Sequence, residues 1–157
     1  MSTPNLLDAV RIVKENERVA SASYADAASR IHNPMGKQLF EQLSEFEKFH
    51  YDQLTRLETS LEQSGEYINY TGKEFPQPPL FEIKAAQEPN TKSVMSILSG
   101  AIELEKQAEK SYTELATQAM DQKGHDMFNR LAEEEHKHYR ILMDVFWNLN
   151  NLGTWKW

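Results

Sequence analysis

Residues 5 to 63 slide onto residues 93 to 151 without a gap. Glu15 falls on Glu103, Ala20 on Ala108, Tyr24 on Tyr112, Gly36 on Gly124, Phe40 on Phe128, Leu43 on Leu131, Tyr51 on Tyr139 and Leu54 on Leu142, always 88 residues apart. Each copy contains one strong break, Asn33-Pro34-Met35-Gly36 in the first and Asp121-Gln122-Lys123-Gly124 in the second. A unit of this length with one break is a helical hairpin, and two such hairpins bury their apolar stripes against each other. The expected architecture is therefore all-α, a four-helix bundle built from two repeated hairpins in a single domain spanning residues 1–157. Thr3-Pro4 reads as an N-cap followed by proline at the first helical position. The expected helices run over about 4–32, 35–64, 91–120 and 125–148.

Between the hairpins, at about 65–90, lies a linker marked by Gly72, Pro76, Pro78, Pro79 and Pro89. It is far longer than the ~2–8 residues that join antiparallel neighbours in a bundle. Helices of about 30 residues are ~45 Å long, and a linker of about 26 residues reaches ~85 Å when extended. The chain can therefore return along the whole bundle, so the spacing predicts a long crossover between helices 2 and 3.

Each helix then carries polar residues where its apolar stripe demands hydrophobic ones. Helix 2 reads Phe40, Leu43, Glu47, His50, Leu54, Leu57, Leu61, and helix 4 reads Phe128, Leu131, Glu135, His138, Leu142, Val145, Leu149. Helix 1 places Glu17 between Val13 and Ala20, and helix 3 places Glu105 between Ala101 and Ala108. Positions 17 and 50 are symmetric about the first hairpin turn, and 105 and 138 about the second, so all six residues share one level at mid-bundle. A lone buried carboxylate costs several kcal/mol unless something compensates it. No Lys or Arg occupies any of the four stripes, which leaves cations from solution as the partner.

Two divalent ions suit this donor set, because carboxylates can bridge while each ion keeps one His. With no cysteine in the chain, thiolate chemistry, iron-sulfur clusters and Cys-type zinc sites are excluded, and oxygen and nitrogen donors favour iron or manganese. A Glu from each of two helices plus Glu-x-x-His from each of the others matches the di-iron and di-manganese carboxylate bundles. Which carboxylate pair bridges is open at this point. Glu-x-x-His alone is a weak signal, and a third instance, Glu133/His136, falls off the stripe and reads as solvated surface. Tyr24 and Tyr112 lie two turns from Glu17 and Glu105, placed for core packing or for a hydrogen bond to a metal-ligating carboxylate. Trp155 and Trp157 are candidates to cover an interface. The net charge of -7 argues against nucleic acid and anionic membrane as partners. The chain has no run of apolar residues long enough to span a bilayer, and its start lacks a basic segment followed by an apolar one, so a cytoplasmic location is expected.

The strings Ala101-Ile102-Glu103-Leu104-Glu105 followed by Tyr112, and Leu131-Ala132-Glu133-Glu134-Glu135 with His138, resemble the ferritin-like domain of the rubrerythrin family. The resemblance covers nearly the whole chain outside the linker. It implies a ferritin-like bundle with two iron ions on Glu17, Glu47, His50, Glu105, Glu135 and His138. It also implies reduction of hydrogen peroxide or dioxygen, and a homodimer or larger homo-oligomer. Rubrerythrins take electrons from a rubredoxin-like iron held by four cysteines. A chain without cysteine needs an external donor, such as a separate rubredoxin-like protein. Rubrerythrins also carry an extra Glu three residues after the helix-3 ligand, where this chain has Ala108. The same six residues are equally similar to the iron-oxidising centre of bacterioferritin. The alternatives to an oxidoreductase are accordingly an iron-binding ferroxidase and a structural bundle with a non-redox site holding, for example, zinc.

Overall fold

A computed structural model describes residues 6–80 and 82–157 and contains four helices. They are α1 (Leu6–Arg30), α2 (Pro34–Ser64), α3 (Thr91–Gln118) and α4 (Gln122–Leu152). The expected Thr3-Pro4 cap lies outside the described residues. Among the described residues no strand forms, only an isolated antiparallel bridge between Gln87 and Thr154.

Local chemistry fixes the helix ends. Asn33 caps α2 by accepting the Met35 N–H at 2.9 Å, with Pro34 at the first helical position. Asp121 caps α4 by accepting the Lys123 N–H at 2.8 Å. Gly65 and Gly153 close α2 and α4 in the left-handed conformation, at φ 70 and 66, where a Cβ would be strained. These caps correct the sequence expectation for α4, which starts at Gln122 rather than about 125 and ends at Leu152 rather than about 148. Asp121 sets the start, so Gly124 sits inside the first turn. At the far end the Asn-rich run stays helical because Leu149 is buried and the stop signal is Gly153. The expected start of helix 1 lies outside the described residues, and the remaining boundaries shift by two residues or fewer.

Helix α1 packs on α2, α3 on α4, and α1 on α3. The Tyr24 hydroxyl reaches Glu105 while the Tyr112 hydroxyl reaches Glu17, so α1 and α3 are antiparallel. Helix α2 is antiparallel to α1 through the short turn at 31–33, which makes α2 and α3 parallel and gives the expected crossover. Two apolar clusters fill the ends of the bundle. One is built around Phe40, Leu43, Leu98, Leu142 and Trp155, the other around Val10, Leu54, Leu57, Phe128 and Leu131. The polar layer lies between them.

The repeat extends into the segments after α2 and α4. Tyr67 packs onto Gly124, where a Cβ would stand 2.5 Å from its ring, and Trp155 packs onto Gly36, where a Cβ would stand 2.4 Å from its ring. Tyr67 and Trp155 are themselves 88 residues apart. Trp155 is thus buried in the chain's own core, 1% exposed, rather than covering an interface.

Candidate metal centre

All six residues singled out by stripe position meet at mid-bundle, each no more than 3% exposed. They form two overlapping groups whose potential ligand atoms lie within 4.8 Å of one another. One group is Glu17, Glu47, His50 and Glu135; the other is Glu47, Glu105, Glu135 and His138. Glu47 and Glu135 belong to both. His50 Nδ1 is 2.9 Å from Glu135 Oε1 and 3.5 Å from Glu17 Oε2. His138 Nδ1 is 3.0 Å from Glu47 Oε1 and 3.5 Å from Glu105 Oε1. Both imidazoles therefore present Nδ1 to the carboxylates.

The tyrosines act crosswise. Tyr112 donates to Glu17 Oε1 at 2.6 Å and Tyr24 donates to Glu105 Oε1 at 2.8 Å. In each carboxylate the other oxygen, Oε2, is buried without a hydrogen-bond partner. Burial first, and then the charge of the facing carboxylate, push both tyrosine hydroxyls well above their ordinary range, so they remain donors. Among the described residues, Glu47 Oε1, Glu135 Oε1 and both Nδ1 atoms also lack hydrogen-bond partners. Buried polar atoms are normally satisfied, and six orphaned oxygen and nitrogen atoms aimed at one centre fit a cation site. Among the described residues no Lys or Arg pairs with the four carboxylates.

Electrostatics confirm the strain. Burial, reinforced by neighbouring carboxylates, holds Glu17 and Glu135 well above the usual carboxylate range. Burial works the same way on Glu47, but its close contacts with Glu17, His138 and His50 outweigh it and hold this carboxyl low. His138 is pushed up to about 9: burial opposes the shift, and Glu105 and Glu47 overcome it. Without metal the site must keep protons in place of cations.

Sequence reasoning missed one buried carboxylate. Glu134 is 2% exposed, and its Oε1 lies 3.0 Å from His50 Nε2. The crossover segment holds it there: the Tyr70 hydroxyl donates to Oε1 at 2.5 Å and the Lys73 N–H donates to Oε2 at 2.7 Å. Burial would raise this carboxyl, but the contacts with His50, Tyr70 and Lys73 keep it below the usual range. Gly72, at φ 79, lets the segment approach, since a Cβ there would stand 2.8 Å from Glu134 Oε2. Glu133 and His136 are exposed, as expected, with His136 3.1 Å from Glu109.

On the opposite side of the centre a cavity of about 160 Å³ opens between α1 and α3. Glu17, Glu47, Glu135, Tyr24 and Tyr112 line it, and Ala20 and Ala108 leave it open.

Fold and site together define a ferritin-like four-helix bundle with a buried carboxylate and histidine cluster compatible with a di-iron site. Residues 96–152 match the model of the rubrerythrin family, which bears out the resemblance read from the sequence. A solved structure, a hypothetical protein from Pyrococcus furiosus, is similar over 94% of this chain and 92% of its own, with a TM-score of 0.74 and 21% identity. At that identity the likeness speaks for the fold. No curated protein matches the chain. Among the described residues no helix is long and apolar enough to cross a membrane.

Proposed function

We propose that the chain holds two iron ions and works as an oxidoreductase that reduces hydrogen peroxide or dioxygen, drawing electrons from an external donor. The observation that carries this reading is the pair of overlapping clusters sharing Glu47 and Glu135. Glu17 and His50 would hold one ion, Glu105 and His138 the other, with Glu47 and Glu135 as the bridging carboxylates. Two bound ferrous ions supply two electrons and a Lewis-acidic surface for the oxidant.

The chain's own residues do the remaining work. Tyr112 and Tyr24 fix one oxygen each of Glu17 and Glu105, which orients the free oxygen inward. The two apolar clusters keep bulk water from the centre, and the cavity between α1 and α3 admits a molecule of peroxide or dioxygen size. Ala108 leaves that route open where rubrerythrins place a carboxylate. Reduction of one peroxide to two waters consumes two electrons and two protons, so turnover depends on a reductant that this cysteine-free chain does not itself carry.

Metal analysis of protein purified without chelators, combined with a peroxide assay, tests the reading. Two irons per chain, rapid oxidation of the reduced protein by peroxide and continued turnover with added reductant are expected. Iron that oxidises once and accumulates as ferric product, in a large assembly by solution mass, would point instead to an iron-handling ferroxidase. Metal content and reactivity unchanged by Glu47→Ala would overturn the site.

A further inference from the structure

The internal repeat fails at one buried pair of positions beside the metal centre. Glu134 stands 88 residues after Phe46, and both are buried, 2% and 1% exposed. The two imidazoles are consequently backed by different chemistry. Behind His50, Nε2 meets the Glu134 carboxylate at 3.0 Å, and that carboxylate is itself fixed by Tyr70 and the Lys73 amide. Behind His138, Nε2 has no hydrogen-bond partner among the described residues. Its ring instead meets Phe46 edge-on at 4.5 Å between centroids and Phe75 at 5.2 Å.

Both rings turn Nδ1 toward the carboxylates, so metal binding requires the ring proton on Nε2. A carboxylate behind the ring fixes that tautomer, orients the ring and strengthens the ligating nitrogen. An aromatic face accepts an N–H only weakly. Resting on the two-metal reading above, we propose that the two positions are unequal by construction. The Glu17/His50 position fills first and keeps its ion, and the Glu105/His138 position fills second and exchanges it. Glu134 is the positioning residue that sets the difference, and the crossover segment holds Glu134 in place.

Titration of the metal-free full chain with Co(II), followed by visible absorption without dioxygen, tests this. The parent should bind two ions in steps at least about tenfold apart in affinity, the range that partners behind a ligating histidine command. Glu134→Gln should weaken the tighter step and bring the two together. In a His138→Ala background, Glu134→Gln should weaken the remaining ion about 10–100-fold. In a His50→Ala background the same change should leave the remaining ion within about twofold, a selectivity that a merely structural role would not produce. Far-ultraviolet circular dichroism of each metal-free variant checks the fold. Where a histidine background fails to fold, the separation of steps in the single variant decides, and an unchanged separation overturns the proposal. Two equal steps in the parent, or equal losses in both backgrounds, overturn it while leaving the two-metal reading intact. A parent chain that takes up no cobalt overturns both.

Discussion

Replacing Glu135 with glutamine should stabilise the metal-free protein while removing a carboxylate common to both clusters. Glu135 is 1% exposed, and burial, with the charges of Glu105, Glu47 and Glu17, raises its carboxyl well above the ordinary 4.5. In the unfolded chain the same group ionises near 4.5. At about pH 7.5, folding must therefore rebind a proton or bury a charge among like charges. Rebinding sets the ceiling: about three pH units at ~1.4 kcal/mol each give at most ~4 kcal/mol. Glutamine avoids that cost at every pH, and an imperfectly matched buried amide returns ~1–2 kcal/mol. The net gain should be positive and at most ~2–3 kcal/mol near pH 7.5. A carboxyl raised in the folded state contributes its full stability below the unfolded value and loses it as pH rises, so the variant's advantage should shrink as pH falls, vanish above pH 4.5 and become a deficit of ~1–2 kcal/mol at pH 4.5. Urea unfolding of both metal-free proteins at several pH values, with equal m values, measures this. A variant no more stable than its parent near pH 7.5 would show that the empty cluster is not strained, and would refute the reasoning.

His138, pushed up to about 9 from 6.5, contributes stability that is complete below 6.5 and lost as pH rises through about 9. Thermal melts of the metal-free protein should fall across that window by the equivalent of ~3 kcal/mol, whereas the metal-loaded protein should not show this fall. Gly72→Ala would set a Cβ 2.4 Å from Arg130 Nε and 2.8 Å from Glu134 Oε2 at a positive φ. It should destabilise the fold by ~1–3 kcal/mol and weaken the same cobalt step as Glu134→Gln, read in the same titration. Gly36→Ala should displace Trp155, with a red-shifted tryptophan emission that is absent when Trp155→Phe is combined with it, and a loss of ~1–3 kcal/mol in urea.

Much of this molecule was legible because two independent patterns coincide. A heptad-like stripe told which faces are buried, and the repeat showed that Glu17, Glu47 and His50 recur as Glu105, Glu135 and His138 at one height. Glu134 escaped because it sits in the run Glu133-Glu134-Glu135, one place off the stripe, where a solvated carboxylate is the ordinary reading. The signal was nonetheless present in the repeat, since its counterpart Phe46 marks the position as buried. That Glu47 and Glu135 belong to both clusters needed distances between helices that periodicity does not contain. The crossover carried no periodic pattern at all, so neither the grip of Tyr70 and Lys73 on Glu134 nor the packing of Tyr67 could be read from it. The start of α4 differs from the sequence expectation because Gly124 does not break the helix but admits the Tyr67 ring.

That ring and its counterpart bear on how the molecule could be divided. Tyr67 follows the first hairpin and plugs the second at Gly124, and Trp155 follows the second and plugs the first at Gly36. Farther along the crossover, Tyr70 and Lys73 hold α4, and the carbonyls of Ala85 and Gln87 accept from Asn33 in the first turn. Between these two anchored stretches, from Pro76 to Lys84, the described residues are largely exposed. A single backbone nick in that stretch would produce two fragments that each still grip the other. A nick at the end of α2 would instead cut the first hairpin free of its own plug. The halves are clasped reciprocally, and the seam along which they come apart lies in the middle of the crossover rather than at the helix ends.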